Sequence, residues 1–537
     1  MPQEVSGVRR WGVLGVLCLS LMLLGVDQTV LNVALPGMQR ELRLGSAQLQ
    51  WVVGAHMLAL AAGVLAAGNW GDRRGRRTAL LLGLSVCGLA SVLGALAVGA
   101  GGIIAARALM GAGAAFIMPS TLSIVVEVFT DAGRQRLAIT AWATVAGAGV
   151  LVGPVLGGWL LEYYSWQSCF WVNVPLVVIA LVGVAFLVPP CRQDPAPAAD
   201  PVGLLLSCAG LFAVVWALIQ APARGWSDTT VMTAAATGLT LLVALIRWER
   251  RAREPMLPVE LFRNRGYAVS AAALSLLFFT LVGSTFVLTF YLQGLRRMSP
   301  LEAGSTMLLG GAGVALGGLL SAAGARWTRP RELLVAGMAL CGCAFVLLAG
   351  TTTGTAMGRL HAFLVVIGLG VGLAGGPATS LIMRAVPTQK AGIGAGMNDA
   401  VRSLGSTSGV AAIGSVFNTV YSARMSTAAD GTTEAAPGAA RDHFLRAVSE
   451  AEHMVATATG GDTAHRLRHL EQARRLVEEA EHAFIVALQT TAWACAGICF
   501  AGACLVLMTL PGERRAVSTP GSPTAVPRAA ARHGAGE

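Results

Sequence analysis

The chain has 537 residues and a formal net charge of +11, with 55% hydrophobic and only 12% charged residues. An ordinary soluble domain carries about 25% charged residues. This composition therefore excludes a soluble globular protein and indicates a membrane protein. Basic loops that face anionic lipid are sufficient to explain the net charge, so we expect lipid and not nucleic acid as the partner of the basic surface.

Apolar stretches of about 20 residues, the length that an α-helix needs to cross a bilayer, recur along the whole chain. We therefore predict an all-α polytopic membrane protein with fourteen transmembrane helices. The predicted spans cover residues 11–35, 48–70, 78–99, 102–126, 138–161, 168–189, 202–221, 230–247, 267–292, 301–324, 332–350, 359–383, 391–418 and 484–510.

Arginines are concentrated in alternate loops between these spans, beginning with Arg9 and Arg10. Because cytoplasmic loops are enriched in Lys and Arg, this pattern predicts an even number of spans with both termini in the cytoplasm. A secretory signal in residues 9–35 is the competing interpretation, but the apolar run is long and no A-x-A site ends it. The near-total use of Arg over Lys points to a GC-rich bacterial genome, hence to a bacterial inner membrane.

The one sizeable soluble piece is residues 419–483, predicted to be outside the cell. Its stretch HRLRHLEQARRLVEEAEHAF has helical periodicity and dense mixed charge, so we predict a solvated helix there. We predict no metal site, although two histidines in it are four residues apart. Residues 511–537 are rich in Pro, Ala and Gly and are predicted to be disordered.

No phosphate-binding loop of the form G-x-x-x-x-G-K-[ST] is present, and the only lysine, Lys390, lies in PTQKAGIG. We therefore expect neither ATP hydrolysis, nor an enzyme, nor a cofactor. Ion coupling, passive transport and no transport at all remain open. Ionisable residues within the spans then become informative, since an ion gradient acts on them.

Asp27, in LLGVDQTVLNVALP, and Arg107, in RALMGAGAAFIMP, lie at similar predicted depths on antiparallel spans. We expect them to meet, either as a proton site or as a structural ion pair. Asp399 lies near the middle of span thirteen with Arg402 on the same helix face. His56 in span two either packs as a single histidine or titrates near neutral pH.

Glycines recur every four residues in span five, at Gly149, Gly153 and Gly157. This spacing predicts one helix face that a neighbouring backbone approaches closely. Pro154 removes a helix hydrogen bond and permits a bend. The pattern fits either a helix that moves during transport or ordinary tight packing.

Several of these stretches together resemble a known family. GNWGDRRGRRTAL, residues 68–80, is similar to the loop signature of the major facilitator superfamily. LLGVDQTVLNVALP resembles the first-helix signature of its fourteen-helix drug:proton antiporters, RALMGAGAAFIMP the proton-coupling motif, and GVLVGPVLGG the antiporter motif of exporters. Minor matches such as SWQSCFWVNVP extend the likeness over nearly the whole chain.

The resemblance implies two six-helix halves around a central cavity, with an inserted helix pair between them. The expected organisation is a cytoplasmic N-terminus at 1–10, an N-terminal half at 11–189, the inserted pair at 202–247, a C-terminal half at 267–510 that contains the outer loop 419–483, and the tail at 511–537.

The resemblance also implies roles for individual residues, with Asp72 expected at a helix N-terminus. Proton coupling is expected at Asp27, Arg107 and Asp399; a conformational gate at Gly68, Asp72, Arg73, Gly75, Arg76 and Arg77; the antiporter motif at Gly149, Gly153, Pro154, Gly157 and Gly158; and candidate substrate contacts at Asn32, His56, Tyr291, Gln293, Asn398 and Arg402.

The expected function is proton-coupled export of amphipathic drugs or antibiotics by alternating access, without an obligate protein partner. The alternatives are a facilitator-type nutrient importer and a non-transporting membrane sensor on the same fold. In some multidrug relatives span two has an Asp and a Tyr where Gly54 and His56 stand here. Fewer acidic residues are therefore available to bind cationic drugs, and neutral or weakly basic natural products remain alternative substrates.

Overall fold

A computed structural model describes residues 7–190, 200–252, 259–325, 327–386, 391–430, 444–457 and 463–510. The helices in these ranges are α1 Gly7–Leu42, α2 Ser46–Arg74, α3 Arg76–Ala95, α4 Ala100–Val128, α5 Ala132–Tyr163, α6 Ser168–Trp171, α7 Asn173–Leu187, α8 Pro201–Arg224, α9 Thr229–Glu249, a 3₁₀ turn Val259–Arg263, α10 Arg265–Phe290, a π turn Tyr291–Leu295, α11 Pro300–Gly324, α12 Pro330–Ala349, α13 Met357–Arg384, α14 Ala391–Asp430, α15 Phe444–Thr457 and α16 Thr463–Thr509.

Within the described ranges, twelve helices are long and apolar enough to cross a membrane. The predicted fifth and thirteenth spans fall on two further long helices, α5 with 32 residues and α14 with 40 residues. The prediction of an all-α, multi-pass membrane fold is confirmed. The count of fourteen membrane-crossing helices stays a prediction.

Side chains at the loop ends define where several helices begin. Asn264 accepts hydrogen bonds from the backbone N–H groups of Gly266 and Tyr267 at the start of α10. Ser299 and Glu302 form a reciprocal capping box at the start of α11. These caps satisfy N–H groups that have no partner within the helix, and short loops therefore suffice between long spans.

The helices pack as two groups with a pair between them. Helices α1 to α5 and α7 pack on one another, as do α10 to α14 and α16. Two long seams join the groups, α2 against α14 and α5 against α11. Helix α9 packs on α8, and α8 packs against α2 and α14, hence against one helix from each group.

The arginine-rich loops lie together at one end of the bundle, which we call the basic end. There Arg9, at the start of α1, donates from Nε to the carbonyl oxygen of Leu187 at 3.2 Å. Arg77, at the start of α3, donates to the carbonyl oxygen of Ala185 at 2.6 Å. The starts of α1 and α3 thus meet the end of α7, as the alternating charge pattern predicts.

The charged stretch predicted as a solvated helix is the first part of α16, which runs on unbroken as the last span. With 47 residues, α16 is about 70 Å long. The helix is solvated on one side only: Arg474 and Glu478 are exposed, whereas Ala473 and Ala480 are buried. Residues 431–443 and the tail from 511 onwards, predicted to be disordered, lie outside the described residues.

Candidate functional site

Asp27 lies on α1 with its carboxylate facing the interior of the first helix group, and only 4% of the residue is exposed. Its Oδ2 atom lies 2.7 Å from Nη1 of Arg107, which reaches it from α4 and is 1% exposed. The two residues that the sequence placed at similar depth therefore form a buried ion pair. A short, charge-assisted hydrogen bond of this kind is among the stronger polar contacts in proteins.

Arg107 and Asp27 also bind groups on α2. The guanidinium donates from Nε to the carbonyl oxygen of Val52 at 3.1 Å. The Nδ1 atom of His56 lies 3.5 Å from Oδ2 of Asp27, and neither ring nitrogen of this fully buried histidine has a closer hydrogen-bond partner. His56 therefore places an imidazole ring directly beside the carboxylate.

The other carboxylate oxygen is held from α7 and α3. Asn173, the first residue of α7, donates from Nδ2 to Oδ1 of Asp27 at 3.0 Å. The same amide lies 3.4 Å from Oγ of Ser91, and Ser91 donates to the carbonyl oxygen of Phe170 at 2.8 Å. Both side chains are buried. We call Asp27, His56, Ser91, Arg107 and Asn173 the Asp27 cluster.

The sequence reasoning missed Asn173 and Ser91 as members of this cluster. Asn173 lies in SWQSCFWVNVP, and the signal available there was a lone amide at the start of a strongly apolar run. A buried amide of this kind needs a hydrogen-bond partner. Ser91 carries no such signal, because a serine on a helix usually bonds to its own backbone.

The Asp27 cluster brings a carboxylate and a guanidinium together in the buried interior of the first helix group. In such a space the attraction between the two charges is much stronger than at a surface. Protonation of the carboxylate removes its half of the pair and leaves Arg107 charged. A proton bound to Asp27 would therefore change the force between α1 and α4.

Asp399 is not part of this cluster. It lies on α14, and its Oδ1 atom is 4.0 Å from Nη1 of Arg402. Arg402 is itself partly exposed, and its guanidinium lies 4.4 Å from the ring centroid of Phe278 on α10. This second acid thus has a looser, more accessible partner than Asp27 has.

The remaining candidate substrate contacts lie in the π turn, on α14 and on α1. Gln293, in the π turn, donates to the carbonyl oxygen of Val33 at 2.8 Å and so joins the two helix groups at the end opposite the basic end. Tyr291 is buried beside Phe484, with ring centroids 6.3 Å apart. Asn398 accepts a hydrogen bond from Thr379 at 3.2 Å.

Asn32 completes the set of candidate substrate contacts. It is buried on α1, five positions beyond Asp27 in the sequence. Of the six candidates, only His56 joins the Asp27 cluster, and Arg402 joins Asp399.

The turn between α2 and α3 lies at the basic end and depends on Gly75, whose φ of 108° is one that L side chains rarely adopt. Arg76, directly after it, lies 3.1 Å from Oδ1 of Asp72 and 3.2 Å from Oε2 of Glu127 at the end of α4. Arg73 is exposed. The turn is therefore fastened to α4 through one arginine.

The expected place of Asp72 at a helix N-terminus is wrong. Asp72 lies in the last turn of α2, where the helix dipole disfavours a carboxylate. The Arg76 side chain beside it offsets this effect. A cavity of about 40 Å³ next to the turn is lined by Gly68, Asp72 and Arg76, and by Gly396 of α14. The gate candidates thus border the second helix group.

The glycine face of α5 packs on α1. A Cβ atom on Gly149 would lie 2.8 Å from the carbonyl oxygen of Met22, and one on Gly157 would lie 2.6 Å from that of Val30. Gly158 instead faces α11, where a Cβ would meet the carbonyl oxygen of Pro300 at 2.5 Å. Helix α5 is therefore in close contact with both helix groups, along the length that contains Pro154.

We expect Gly157→Ala to lower the stability of the protein by about 1–3 kcal/mol, because the added methyl meets a backbone carbonyl that a side-chain rotation cannot move. Gly147→Ala, on the same helix, adds a methyl with no atom within 4 Å. It should instead stabilise by about 0.5–1 kcal/mol. Thermal unfolding of the two purified variants in detergent checks this, and equal shifts in the same direction would contradict the packing described.

The protein has two packed helix groups, a buried ion pair in the first of them, and a glycine-lined helix that contacts both. These features define a polytopic membrane protein with the architecture of secondary transporters. The Major Facilitator Superfamily profile matches residues 17–410. The chain belongs to this family, and it is a multi-pass membrane protein.

Two relatives span most of the chain. It is 34% identical to the multidrug efflux pump LfrA of Mycolicibacterium smegmatis, over 84% of this chain and 89% of that protein. It is 35% identical to the puromycin resistance protein pur8 of Streptomyces alboniger, over 80% and 85% of the two chains.

A similar fold is found in the crystal structure of a bacterial homologue of the human lysosomal transporter Spinster, in an inward-facing and unoccupied conformation. That structure has a TM-score of 0.60 and 16% sequence identity, and the match covers 94% of this chain and 99% of that one.

Proposed function

We propose that this protein is a proton-coupled antiporter that exports amphipathic drugs or antibiotics from the cytoplasm. The observation that carries the proposal is the buried Asp27 to Arg107 pair, with its 2.7 Å contact and its flanking His56. Ionisable groups at this depth are costly and usually functional. The names of the two relatives, a multidrug efflux pump and a puromycin resistance protein, support the export of drug-like compounds.

A proton from outside neutralises Asp27 and weakens its attraction to Arg107. His56 lies beside Oδ2 of Asp27, the oxygen that Arg107 also contacts, and provides the second proton-binding position. Asn173 keeps its bond to the other oxygen and holds the side chain in place through the cycle. Release of the proton inside restores the Asp27 to Arg107 pair and returns the helix bundle to its starting conformation.

Movement at the Asp27 cluster reaches the second helix group through α5. Its glycine face contacts α1 within the segment that contains Asp27, and Gly158 contacts the start of α11. A change in the position of α1 therefore shifts the seam between the groups. Pro154 supplies a bend at which α5 adapts to the two states.

The proposed site for cargo lies near Asp399 and Arg402. Phe278 and the stem of Arg402 offer an apolar and aromatic surface, and Asp399 offers one partly exposed carboxylate. These groups suit an amphipathic compound that is neutral or carries a single positive charge. We place the basic end and both termini in the cytoplasm, since loops rich in arginine stay inside, in the bacterial inner membrane.

Transport by the purified protein in sealed liposomes tests this proposal. With the lumen more acidic than the bath and the protein's cytoplasmic face outward, we expect lumenal accumulation of puromycin or a fluorescent cationic dye against its gradient. An ionophore that collapses the pH difference and voltage should abolish it. Accumulation that survives collapse, or accumulation of sugars or amino acids alone, would refute proton-driven drug export; binding without accumulation would indicate a sensor.

A further inference from the structure

The inserted pair α8 and α9 forms a groove on the outer surface of the bundle, at the basic end. The groove has a volume of about 690 Å³. Its apolar wall is formed by Leu206 of α8 and by Leu239, Val243 and Ala244 of α9. Leu239 and Val243 are 59% and 45% exposed, so the groove opens to the membrane and not to the bundle interior.

Two arginines converge on the end of this apolar groove. Arg247 and Arg251, one turn apart near the end of α9, both line it and both are exposed. Within the described part of the chain, neither guanidinium forms an ion pair with a carboxylate. The groove thus joins an apolar channel to two available positive charges.

The walls of the groove are held rigidly. Trp248 donates from Nε1 to both carboxylate oxygens of Asp200, at 2.9 and 3.1 Å, and so links the end of α9 to the start of α8. Further along the pair, a Cβ on Gly238 would lie 2.9 Å from the carbonyl oxygen of Gly210. The two helices are therefore in close contact on either side of the groove.

We propose that this groove is a binding site for one anionic phospholipid of the phosphatidylglycerol class. The phosphate lies between Arg247 and Arg251, and an acyl chain lies along Leu206, Leu239 and Val243. Basic pockets between transmembrane helices recognise anionic headgroups in this way. The site lies outside the Asp27 cluster, and the inference does not depend on the direction or the coupling of transport.

Native mass spectrometry of the full-length protein in detergent tests the proposal, with phosphatidylglycerol and phosphatidylcholine as competing probes. We expect the wild type to retain one phosphatidylglycerol in preference to phosphatidylcholine. The double substitution Arg247→Gln/Arg251→Gln should lower that preference by about 30-fold. The matched control Arg250→Gln/Arg263→Gln removes the same charge from exposed arginines of the basic end that do not line the groove, and it should keep the preference.

A second variant tests the apolar part with the arginines intact. Ala244→Trp fills the groove and should reduce retention of phosphatidylglycerol. Soluble glycerol phosphate at the same concentration should not displace the lipid, because it lacks acyl chains. Equal loss in the two arginine variants, unchanged retention in Ala244→Trp, or displacement by glycerol phosphate would each overturn the proposal.

Discussion

Substitution of Asp27 by Asn is expected to abolish proton-driven transport while leaving the protein folded. Asparagine keeps the shape of the side chain and its bond to Asn173, but it cannot take up and release a proton. The initial rate of dye accumulation driven by a pH difference should fall to that of protein-free liposomes. Exchange of labelled for unlabelled dye, which needs no net proton movement, should persist.

Asp399→Asn provides the matched control, since it removes a second acid that lies within a predicted span. Asp399 has a looser partner, with 4.0 Å between its Oδ1 and Arg402 against 2.7 Å in the Asp27 pair. We expect this variant to change the affinity for cationic cargo more than the response to pH. Proton-driven transport that is normal in Asp27→Asn and lost in Asp399→Asn would move the coupling site to α14.

Helix geometry explains why the sequence was sufficient to pair Asp27 with Arg107. Each residue advances a membrane helix by about 1.5 Å, so position along a span gives depth, and a buried charge needs a partner. The same arithmetic does not give the direction in which a side chain points around the helix axis. The role of His56 was therefore left open, although its ring lies 3.5 Å from the Asp27 carboxylate.

Some contacts between side chains on distant segments could not be predicted from the sequence. Asn173 reaches Asp27 across 146 positions and Glu127 lies 51 positions from Arg76, and neither distance leaves a pattern in a single chain. Local rules also failed at a chain reversal. Asp72 was expected at the start of a helix, but α2 ends just before Gly75, so Asp72 lies at the end of a helix.

The extent of the last helix was a further surprise, for a different physical reason. Composition and charge marked residues 419–483 as soluble, and hydropathy marked 484–510 as a span. Because an α-helix satisfies its backbone hydrogen bonds internally, as lipid requires, and also forms in water, one helix continues through both environments. Composition locates the membrane boundary but does not end the helix there.

Removal of Arg107 alone should have the largest effect on stability. Arg107→Met leaves the Asp27 carboxylate buried without its charge partner, which costs about 3–5 kcal/mol. Asp27→Asn leaves Arg107 charged and unpaired and should also destabilise. In the double variant no charge remains in the cluster, so its stability should recover toward that of the wild type, and the sum of the single losses should exceed the double loss by about 3 kcal/mol.

Denaturant unfolding of the three variants in detergent at neutral pH measures this coupling. The exposed pair Arg474 and Glu478, with 2.8 Å between Nε and Oε1, provides a control in which both charges are in water. The same cycle with Arg474→Met and Glu478→Gln should give a coupling below about 1 kcal/mol. If the two cycles gave equal coupling energies, the charges of Asp27 and Arg107 would not depend on one another in the folded protein. Protonation of Asp27 would then not change the attraction between α1 and α4.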